Sequence, residues 1–255
     1  MGTADFVHLH THSEYSLLDG ACRIEDLVAK AVEFGMPSLA ITDHGVMYGN
    51  ISFYDAARAA GVKPILGCEV YVATRSRTDR DPRLDKDQYH LVLLAKNQNG
   101  YRNLIKLVSI AHSEGHYYKP RVDKELLGEY SADLIALTAC LSGEIPALIL
   151  RDQYDQAERA IAEYADIFGR ENVYLEIQDN GLEDQRKANE ALIRLSRSTG
   201  LKLVATNDIH YLTPKDAEPH DVLLCIQTGS TLDDPKRMRF GSREFYMKSP
   251  EEMAR

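Results

Sequence analysis

Short apolar runs alternate with longer amphipathic segments along this chain. The apolar runs are rich in β-branched residues, which predicts strands. They lie at residues 6–10, 38–42, 65–73, 90–95, 133–138, 172–177 and 202–206. The intervening segments carry apolar residues at helical spacing, as where Ile24, Leu27 and Val28 share one face. Helices are predicted at residues 24–34, 50–60, 98–112, 155–168 and 184–199.

This alternation predicts an α/β fold made of repeated βα units. Seven units are too many for a small open sheet and suit a closed barrel of the triosephosphate-isomerase (TIM) type with one unit missing, a (β/α)7 barrel. A length of 255 residues fits one domain over residues 1–255. Ser249 and Pro250 have the residue types that begin a helix. We therefore expect the chain to be the amino-terminal part of a longer polypeptide.

The composition is that of an ordinary folded protein. Hydrophobic residues make up 44% and charged residues 27% of the chain, so disorder is not predicted. No run approaches the roughly 20 apolar residues of a membrane span, and no export signal opens the chain. The four cysteines lie far apart, which favours reduced thiols. These features predict a cytoplasmic protein without a membrane partner.

The charge pattern limits how the chain could contact nucleic acid. A net charge of −9 argues against a broad DNA-coating surface, although bound cations could invert the charge of an acidic pocket. The mixed-charge run at residues 74–88 predicts a mobile surface loop. The most basic stretch could face DNA or dock on the remainder of a parent chain; it contains Lys236, Arg237, Arg239 and Arg243.

Side chains that can bind metal recur near the predicted strand ends. His10 and His12 alternate on the first strand, so both imidazoles face the same side. In βα barrels, functional residues cluster at the carboxyl ends of strands. Further candidates there are Asp19, His44, Glu69, Cys140, Asp208 and His210. His90 is also a candidate, but the strand prediction places it at an amino end.

Nine such side chains exceed what one ion can use, because a four- to six-coordinate metal takes only some of its ligands from protein. We therefore expect two or three divalent ions, with Glu69 and Asp19 as bridges, since carboxylates span ions about 3.5–4 Å apart in two-metal sites. Imidazole suits Zn, Mn or Fe, and Cys140 as a thiolate favours Zn.

Several motifs resemble those of the polymerase and histidinol phosphatase (PHP) domain family. They are HLHTHSEYSLLDG at residues 8–20, TDHG at 42–45, KPILGCE at 63–69, YYKPR at 117–121 and TNDIHY at 206–211. The resemblance covers essentially the whole chain and is closer to the PHP domains of bacterial DNA polymerase III alpha subunits than to free-standing phosphatases. It implies a distorted seven-stranded barrel and a trinuclear centre. Its implied ligands are His10, His12, Asp19, His44, Glu69, His90, Cys140, Asp208 and His210.

Three functions remain open. The first is a metal-dependent 3′–5′ exonuclease that proofreads DNA 3′ ends, using metal-bound water with Asp19, Glu69 and His210. The second is a silent structural module that stabilises a polymerase and contacts other replisome subunits. The third is a phosphatase of the histidinol-phosphate type. The parent chain of the first two would be a DNA-directed DNA polymerase, whose polymerising carboxylates lie outside these residues.

Residues beside the candidate ligands have predicted supporting roles. His8 is expected to be buried and hydrogen-bonded behind the ligands, and Asp43 to orient a neighbouring imidazole. Arg121 could hold a substrate phosphate with its planar guanidinium, or it could be structural. His220 is expected to be structural.

Overall fold

A curled sheet with helices packed against it forms the centre of this protein, which we describe from a computed structural model covering residues 6–255. The strands are β1 (Ser38–Ile41), β2 (Lys63–Ala73), β3 (Gln88–Ala95), β4 (His116–Tyr117), β5 (Lys119–Val122), β6 (Leu134–Leu137), β7 (Val173–Gln178) and β8 (Lys202–Thr206). The α-helices are α1 (Ile24–Glu33), α2 (Asn50–Ala59), α3 (Gln98–Ser113), α4 (Lys124–Tyr130), α5 (Glu144–Leu150), α6 (Tyr154–Phe168), α7 (Glu183–Thr199), α8 (Ala217–Thr228) and α9 (Pro250–Met253).

Six of these strands and one irregular segment follow each other around the sheet. The strand order is β1, β2, β3, β6, β7, β8. The segment 8–12 lies between β1 and the residues after β8: Ala40 N donates to His8 O at 3.0 Å, and His12 N donates to Ile209 O at 2.8 Å. These bonds join the two ends of the sheet. The predicted distorted TIM-like barrel is therefore confirmed, with residues 8–12 paired through one isolated bridge, Thr11 with Ile209, and separate backbone hydrogen bonds instead of as a regular strand.

One strand runs against the direction expected of a parallel barrel. β3 pairs antiparallel with both β2 and β6, whereas β1 with β2, β6 with β7 and β7 with β8 are parallel. The connection from β2 to β3 contains no helix, and a strand pair joined without a crossover is antiparallel. The reversal places His90, opposite Tyr71, at the edge where the parallel strands end. The predicted position of His90 at the wrong end of the barrel is thereby corrected.

The connection between β2 and β3 lies at the surface, as predicted, and ion pairs link it to the rest of the fold. Asp85 is buried and accepts from Arg75 Nη2 at 2.6 Å. Arg77 pairs with Asp123 at 3.2 Å, which ties the connection to the start of α4. These contacts hold a charge-rich segment without periodicity against the fold.

Apolar side chains fill the barrel away from its polar end. Val92, Leu94 and Leu137 form a small buried cluster with Ala40 and Ala139. The alternate residues of β2 and β3 face the helices and belong to a larger cluster. Burying a residue such as Leu or Val stabilises a fold by roughly 1.5–3 kcal/mol. None of the helices in residues 6–255 is long and apolar enough to cross a lipid bilayer.

Candidate metal centre

The structure brings all nine predicted metal-binding side chains together at one end of the barrel. They surround a cavity of about 260 Å³. Its polar lining comprises Asp19, His44, His90, Cys140, Ser142, Gln185, Asp208 and His210. His10, His12 and Glu69 lie beneath it, almost completely buried. Eight of these side chains lie near the strand ends where the sequence placed them, and His90 joins them because β3 is reversed, which the sequence did not predict.

Potential ligand atoms form three overlapping groups. Within each group the atoms lie within 4.8 Å of one another. The groups are His12 with His44 and His210; His10 with His12 and Asp208; and His44 with Glu69 and His90. Because His12 and His44 each belong to two groups, the groups form one cluster and not separate sites.

Backbone geometry at two strand ends directs ligands into the cavity. Asp208 adopts φ 49°, and Ala139, immediately before Cys140, adopts φ 61°. A positive φ is uncommon outside glycine, although aspartate tolerates it better than most residues. Such conformations persist where the surrounding structure imposes them, often at functional sites. Here they turn the chain sharply after β8 and β6.

Three imidazoles present the same nitrogen to the cavity because their Nδ1 atoms are engaged elsewhere. His10 Nδ1 donates to Glu176 Oε1 at 2.7 Å, and His210 Nδ1 donates to the Asp208 carbonyl at 2.8 Å. His12 Nδ1 lies 3.0 Å from Ser16 Oγ, whose own proton goes to Asp43. The hydrogen-bond network thus assigns the proton of each ring to Nδ1. The Nε2 lone pairs remain available to a metal ion.

Glu69 lies at the centre of the cluster. Its Oε1 is 3.3 Å from His10 Nε2 and 3.0 Å from His90 Nδ1. Its Oε2 is 2.5 Å from His44 Nδ1 and 3.6 Å from His12 Nε2. The two oxygens thus contact different imidazoles, the arrangement expected of a bridging carboxylate.

Asp19 and Cys140 complete the cavity wall. Asp19 Oδ1 is 3.4 Å from His44 Nε2, and its Oδ2 is 3.8 Å from His210 Nε2. His220 on α8 donates to the Asp19 carbonyl at 2.8 Å and so holds this turn, consistent with its expected structural role. Cys140 Sγ is 3.9 Å from His90 Nδ1.

The charges of the cavity favour cations. Burial opposes protonation of His44, but Glu69 and Asp19 outweigh it and raise the pKa of His44 to about 10. Burial is likewise outweighed at His10, where Asp208, Glu176 and Glu69 hold the pKa well above its usual range. His12 differs, because burial and the neighbouring imidazoles lower its pKa to about 3.

The pKa values of the carboxylates shift in the opposite direction. Burial would raise the pKa of Glu69, but His90, His44 and His10 hold it well below the usual range. Asp208 and Asp19 have lowered pKa values because nearby imidazoles likewise outweigh burial. Burial, with Asp208 and Glu69 nearby, raises the pKa of the Cys140 thiol well above its usual range. The thiol is therefore neutral at physiological pH unless a cation binds it.

Unpaired polar atoms supply the test of whether divalent metal ions fit. Within residues 6–255, six buried atoms of the cluster lie 2.5–3.4 Å from other side chains of the cluster but make no well-formed hydrogen bond: His10 Nε2, His12 Nε2, Asp19 Oδ1, His44 Nδ1, Glu69 Oε2 and Asp208 Oδ1. An unpaired buried polar atom costs free energy, so such atoms are rare unless something else binds them. Their convergence from remote segments fits divalent metal binding.

Two groups behind the ligands were not predicted from the sequence. Glu176, buried on β7, orients His10 and also accepts from Gln178 Nε2 at 3.0 Å. Ser16 links His12 to Asp43. For Glu176, the available sequence signal was a glutamate inside an apolar strand. Ser16 has no comparable signal in the sequence.

The predicted supporting residues have different partners from those expected. His8 is buried, but its Nε2 contacts the Lys248 carbonyl at 2.8 Å and not a ligand; burial lowers the pKa of His8 to about 4. Asp43 accepts from Ser13 N at 2.6 Å and from Ser16 Oγ at 2.8 Å. It therefore acts on His12 through Ser16 and does not contact the adjacent His44 ring.

Arg121 does not have the predicted phosphate-binding position. Its side chain is fully buried. The guanidinium donates to four backbone carbonyls, those of Arg77, Asp79, Asp85 and Gly115, at 2.8–3.1 Å. With these donors engaged, Arg121 fastens the β2–β3 connection and is not available to a substrate.

Curated relatives share extensive sequence with this chain. The DNA polymerase III subunit alpha of Treponema pallidum is 47% identical over 255 residues, which is 100% of this chain and 22% of that protein. The same subunit of Thermus aquaticus is 50% identical over 252 residues, 97% of this chain and 21% of that protein. The chain thus spans about a fifth of the length of these relatives.

Solved structures show the same fold at low sequence identity. One, described as a candidate metal-dependent phosphoesterase from Bifidobacterium adolescentis, has a TM-score of 0.51 at 14% identity and covers 81% of this chain and 88% of its own. An amidohydrolase from Chromobacterium violaceum has a TM-score of 0.50 at 16% identity and covers 80% and 87%. Residues 8–180 match the PHP domain family. The chain therefore belongs to the PHP domain family.

Proposed function

We propose that this chain is a metal-dependent phosphodiesterase that removes nucleotides from DNA 3′ ends, as a 3′–5′ proofreading exonuclease. The observation that carries the proposal is the convergence of nine potential ligands on one cavity with six unpaired buried atoms. The relatives named DNA polymerase III subunit alpha support a DNA substrate and a parent chain that is a DNA polymerase. The remainder of that chain and other replisome subunits are the proposed partners.

The proposed ligands are the nine side chains of the cavity, and two or three Zn or Mn ions would fit them; Fe is also compatible with the imidazoles. His10, His12 and His210 would bind through Nε2, because their Nδ1 atoms are engaged. Glu69 would join neighbouring ions through its two oxygens. When bound, such ions lower the pKa of water and neutralise charge on a phosphoryl group.

The protein groups around the opening would position the reacting molecules. Asp19 Oδ1, 3.4 Å from His44 Nε2, makes no well-formed hydrogen bond within residues 6–255 and can accept a hydrogen bond from an attacking water. His210 lines the same cavity as Cys140 and borders the space where a phosphodiester would bind. Cys140 is not a nucleophile in this scheme, because it is one of the proposed metal ligands. Water is the attacking group.

The experiment is hydrolysis of 5′-labelled DNA by the chain reconstituted with Mn²⁺ or Zn²⁺. The product ladder should shorten from the 3′ end, and chelator should abolish the reaction. Asp208→Asn removes a ligand charge and should lower the rate by more than two orders of magnitude. Glu190→Gln, on the exposed face of α7, is the matched control and should not change the rate.

Each alternative function has its own outcome in this assay. Faster hydrolysis of histidinol phosphate than of DNA would replace the exonuclease by a small-molecule phosphatase. Bound metal without any hydrolysis would leave a structural module that stabilises a polymerase. Hydrolysis that persists without metal would exclude the proposed chemistry altogether.

A further inference from the structure

Residues 236–243 form a wall between the metal centre and a second cavity. Met238 and Phe240 line the metal-centre cavity. Arg237, Arg239 and Arg243 line a neighbouring cavity of about 370 Å³, which Phe240 also borders. Met238 thus faces one cavity and the three arginines face the other, with Phe240 bordering both. The first side is apolar, and the second carries the arginines together with Glu218 and Asp221.

The apolar side places an aromatic ring and a methionine next to the proposed ligands. The Phe240 ring meets His210 edge to face at 4.8 Å between centroids, and Phe245 at 4.7 Å. Met238 is 42% exposed although it borders a cavity. Leu141 and Leu182 complete the apolar lining. A phosphate alone does not need such a surface, whereas a nucleobase stacks on it.

The basic side has two cations without carboxylate partners. Arg237 is neutralised by Asp221, which accepts from its Nη2 at 2.6 Å and fastens the wall to α8. Arg239 and Arg243 are exposed, and neither forms an ion pair with any group in residues 6–255. In a chain with a net charge of −9, these two guanidinium groups form a local site for anions.

We propose that the wall binds the single-stranded 3′ end of DNA. The terminal base stacks on Phe240 and Met238 beside the metal centre, and phosphates further along the strand bind Arg239 and Arg243. Aromatic stacking combined with a basic groove is the general means of holding single strands without sequence preference. The inference rests on the proposed function and names how the substrate is held. A docked segment of a longer parent chain would use the apolar side without requiring phosphates.

Salt dependence of binding tests the basic side. The probe is a fluorescein-labelled oligothymidylate with a phosphorothioate 3′ linkage, titrated with this chain and Mn²⁺. Each single-strand phosphate contact contributes about 0.7 to the slope of log affinity against log salt, so the double variant Arg239→Gln/Arg243→Gln should lower that slope by roughly 1.4. Arg159→Gln, exposed on α6 and lining neither cavity, should leave the slope unchanged. An unchanged slope in the double variant, or no binding by the wild type, overturns the proposal.

Base stacking tests the apolar side. A 2-aminopurine at the 3′ terminus should lose fluorescence on binding, and the same base placed internally should not. Met238→Ala and Phe240→Leu should each reduce the quenching and weaken binding roughly 5- to 150-fold. Phe240 packs on His210, so its replacement also alters the packing of the proposed centre. If Phe240→Leu does not fold, the result for Met238→Ala decides the test. Equal quenching at both positions, or quenching unaffected by Met238→Ala, overturns the proposal.

Hydrolysis measured in parallel separates this inference from the proposed function. Oligonucleotide binding as described, without cleavage, would support the wall and refute the exonuclease. Cleavage of DNA with the same KM in the double arginine variant would support the exonuclease and overturn the wall.

Discussion

At the scale of single residues, the candidate centre depends on groups that hold the ligands as much as on the ligands. Glu176, Ser16 and the Asp208 carbonyl each accept from an imidazole Nδ1. This fixes which nitrogen faces the cavity and increases its basicity. The two carboxylates nearest His10 Nε2 are those of Glu69 and Asp208, at 3.3 and 3.2 Å.

Glu176→Gln tests this supporting role. The amide keeps the size of the side chain but removes the charge that favours the Nδ1–H tautomer of His10. Loss of such a partner weakens metal affinity by roughly 10- to 100-fold, and we expect that range for Zn²⁺ in competition with a chromophoric chelator. Glu190→Gln is the control. Unchanged affinity in Glu176→Gln would show that Glu176 is only a buried polar group of the barrel.

The sequence reveals the ligands better than the groups behind them. His10 and His12 are evident because their alternation on an extended segment is a direct consequence of backbone geometry. Glu176 needs the neighbouring strand to be placed before its target is known. Arg121 shows the reverse error, because its residue type suggested a phosphate but its four carbonyl acceptors come from segments brought together only by folding.

At the scale of elements, the β2–β3 connection distinguishes this barrel from a regular βα repeat. It reverses β3 and places His90 in the centre. Its conformation depends on Arg121 from β5 and on Asp123 at the start of α4. The apolar pattern of β3 does not encode its direction, so the sequence predicted the strand but not its reversal. The short β4–β5 pair was also missed, because two- and four-residue strands carry almost no periodic signal.

Arg121→Met tests the structural role of this buried guanidinium. The substitution keeps an unbranched side chain but leaves four carbonyls without their donor. We expect a loss of about 2–4 kcal/mol in the free energy of unfolding, measured with urea, since each unsatisfied buried group costs about 1–3 kcal/mol and water can partly replace the arginine. Trypsin should also cleave within residues 74–88 sooner. Normal stability combined with a raised KM for DNA would instead restore the phosphate-binding hypothesis.

Asp123, in the same region, makes the stability of the fold depend on pH. It accepts from Leu126 N at 3.0 Å as the N-cap of α4, and it pairs with Arg77. Burial opposes ionisation of Asp123, but hydrogen bonds from Arg77 and Leu126 and the charge of Arg77 lower its pKa. A carboxyl whose folded pKa is lowered stabilises the protein above its unfolded pKa of about 3.9 and loses that contribution as pH falls through the folded value.

Asp123→Ala should therefore destabilise the chain by about 1 kcal/mol at pH 7, the usual cost of losing an N-cap. Asp123→Asn keeps a cap but lacks the charge. Its deficit relative to the wild type in urea unfolding should shrink as pH is lowered from 6 to 3. A deficit that grows over this interval would show that the carboxyl has no favourable charge interaction in the folded state.

At the scale of the whole molecule, the barrel separates an apolar interior from a polar end. Small apolar residues such as Ala40 and Val92 fill the interior, whereas Glu69 and Asp208 are directed to the opposite end. The seven-strand repeat and the position of the centre followed from the apolar pattern and the PHP resemblance. Closure of the barrel was predicted too, but not that its first strand is irregular: Thr11 forms one isolated bridge, with Ile209, and the contact with β1 consists of separate backbone hydrogen bonds.

Metal removal should reduce the stability of the whole barrel. The proposed ligands come from the segment 8–12 and from the ends of strands around the sheet, so ions bound there would hold those strands together. A ligand that binds only the folded state stabilises it by about 2.7 kcal/mol at 100 times its Kd. We expect chelator to lower Tm in the wild type but to have little effect in His10→Gln/Asp208→Asn. Equal chelator effects in both proteins would locate the stabilising metal elsewhere.

The most direct measurement is anomalous X-ray diffraction from crystals grown with Zn²⁺ or Mn²⁺. We expect two or three peaks within ligand distance of the nine proposed ligands, with Glu69 between neighbouring peaks. Crystals grown at saturating metal concentration that show no peak among these side chains, or ions only at the protein surface, would contradict the proposed metal centre.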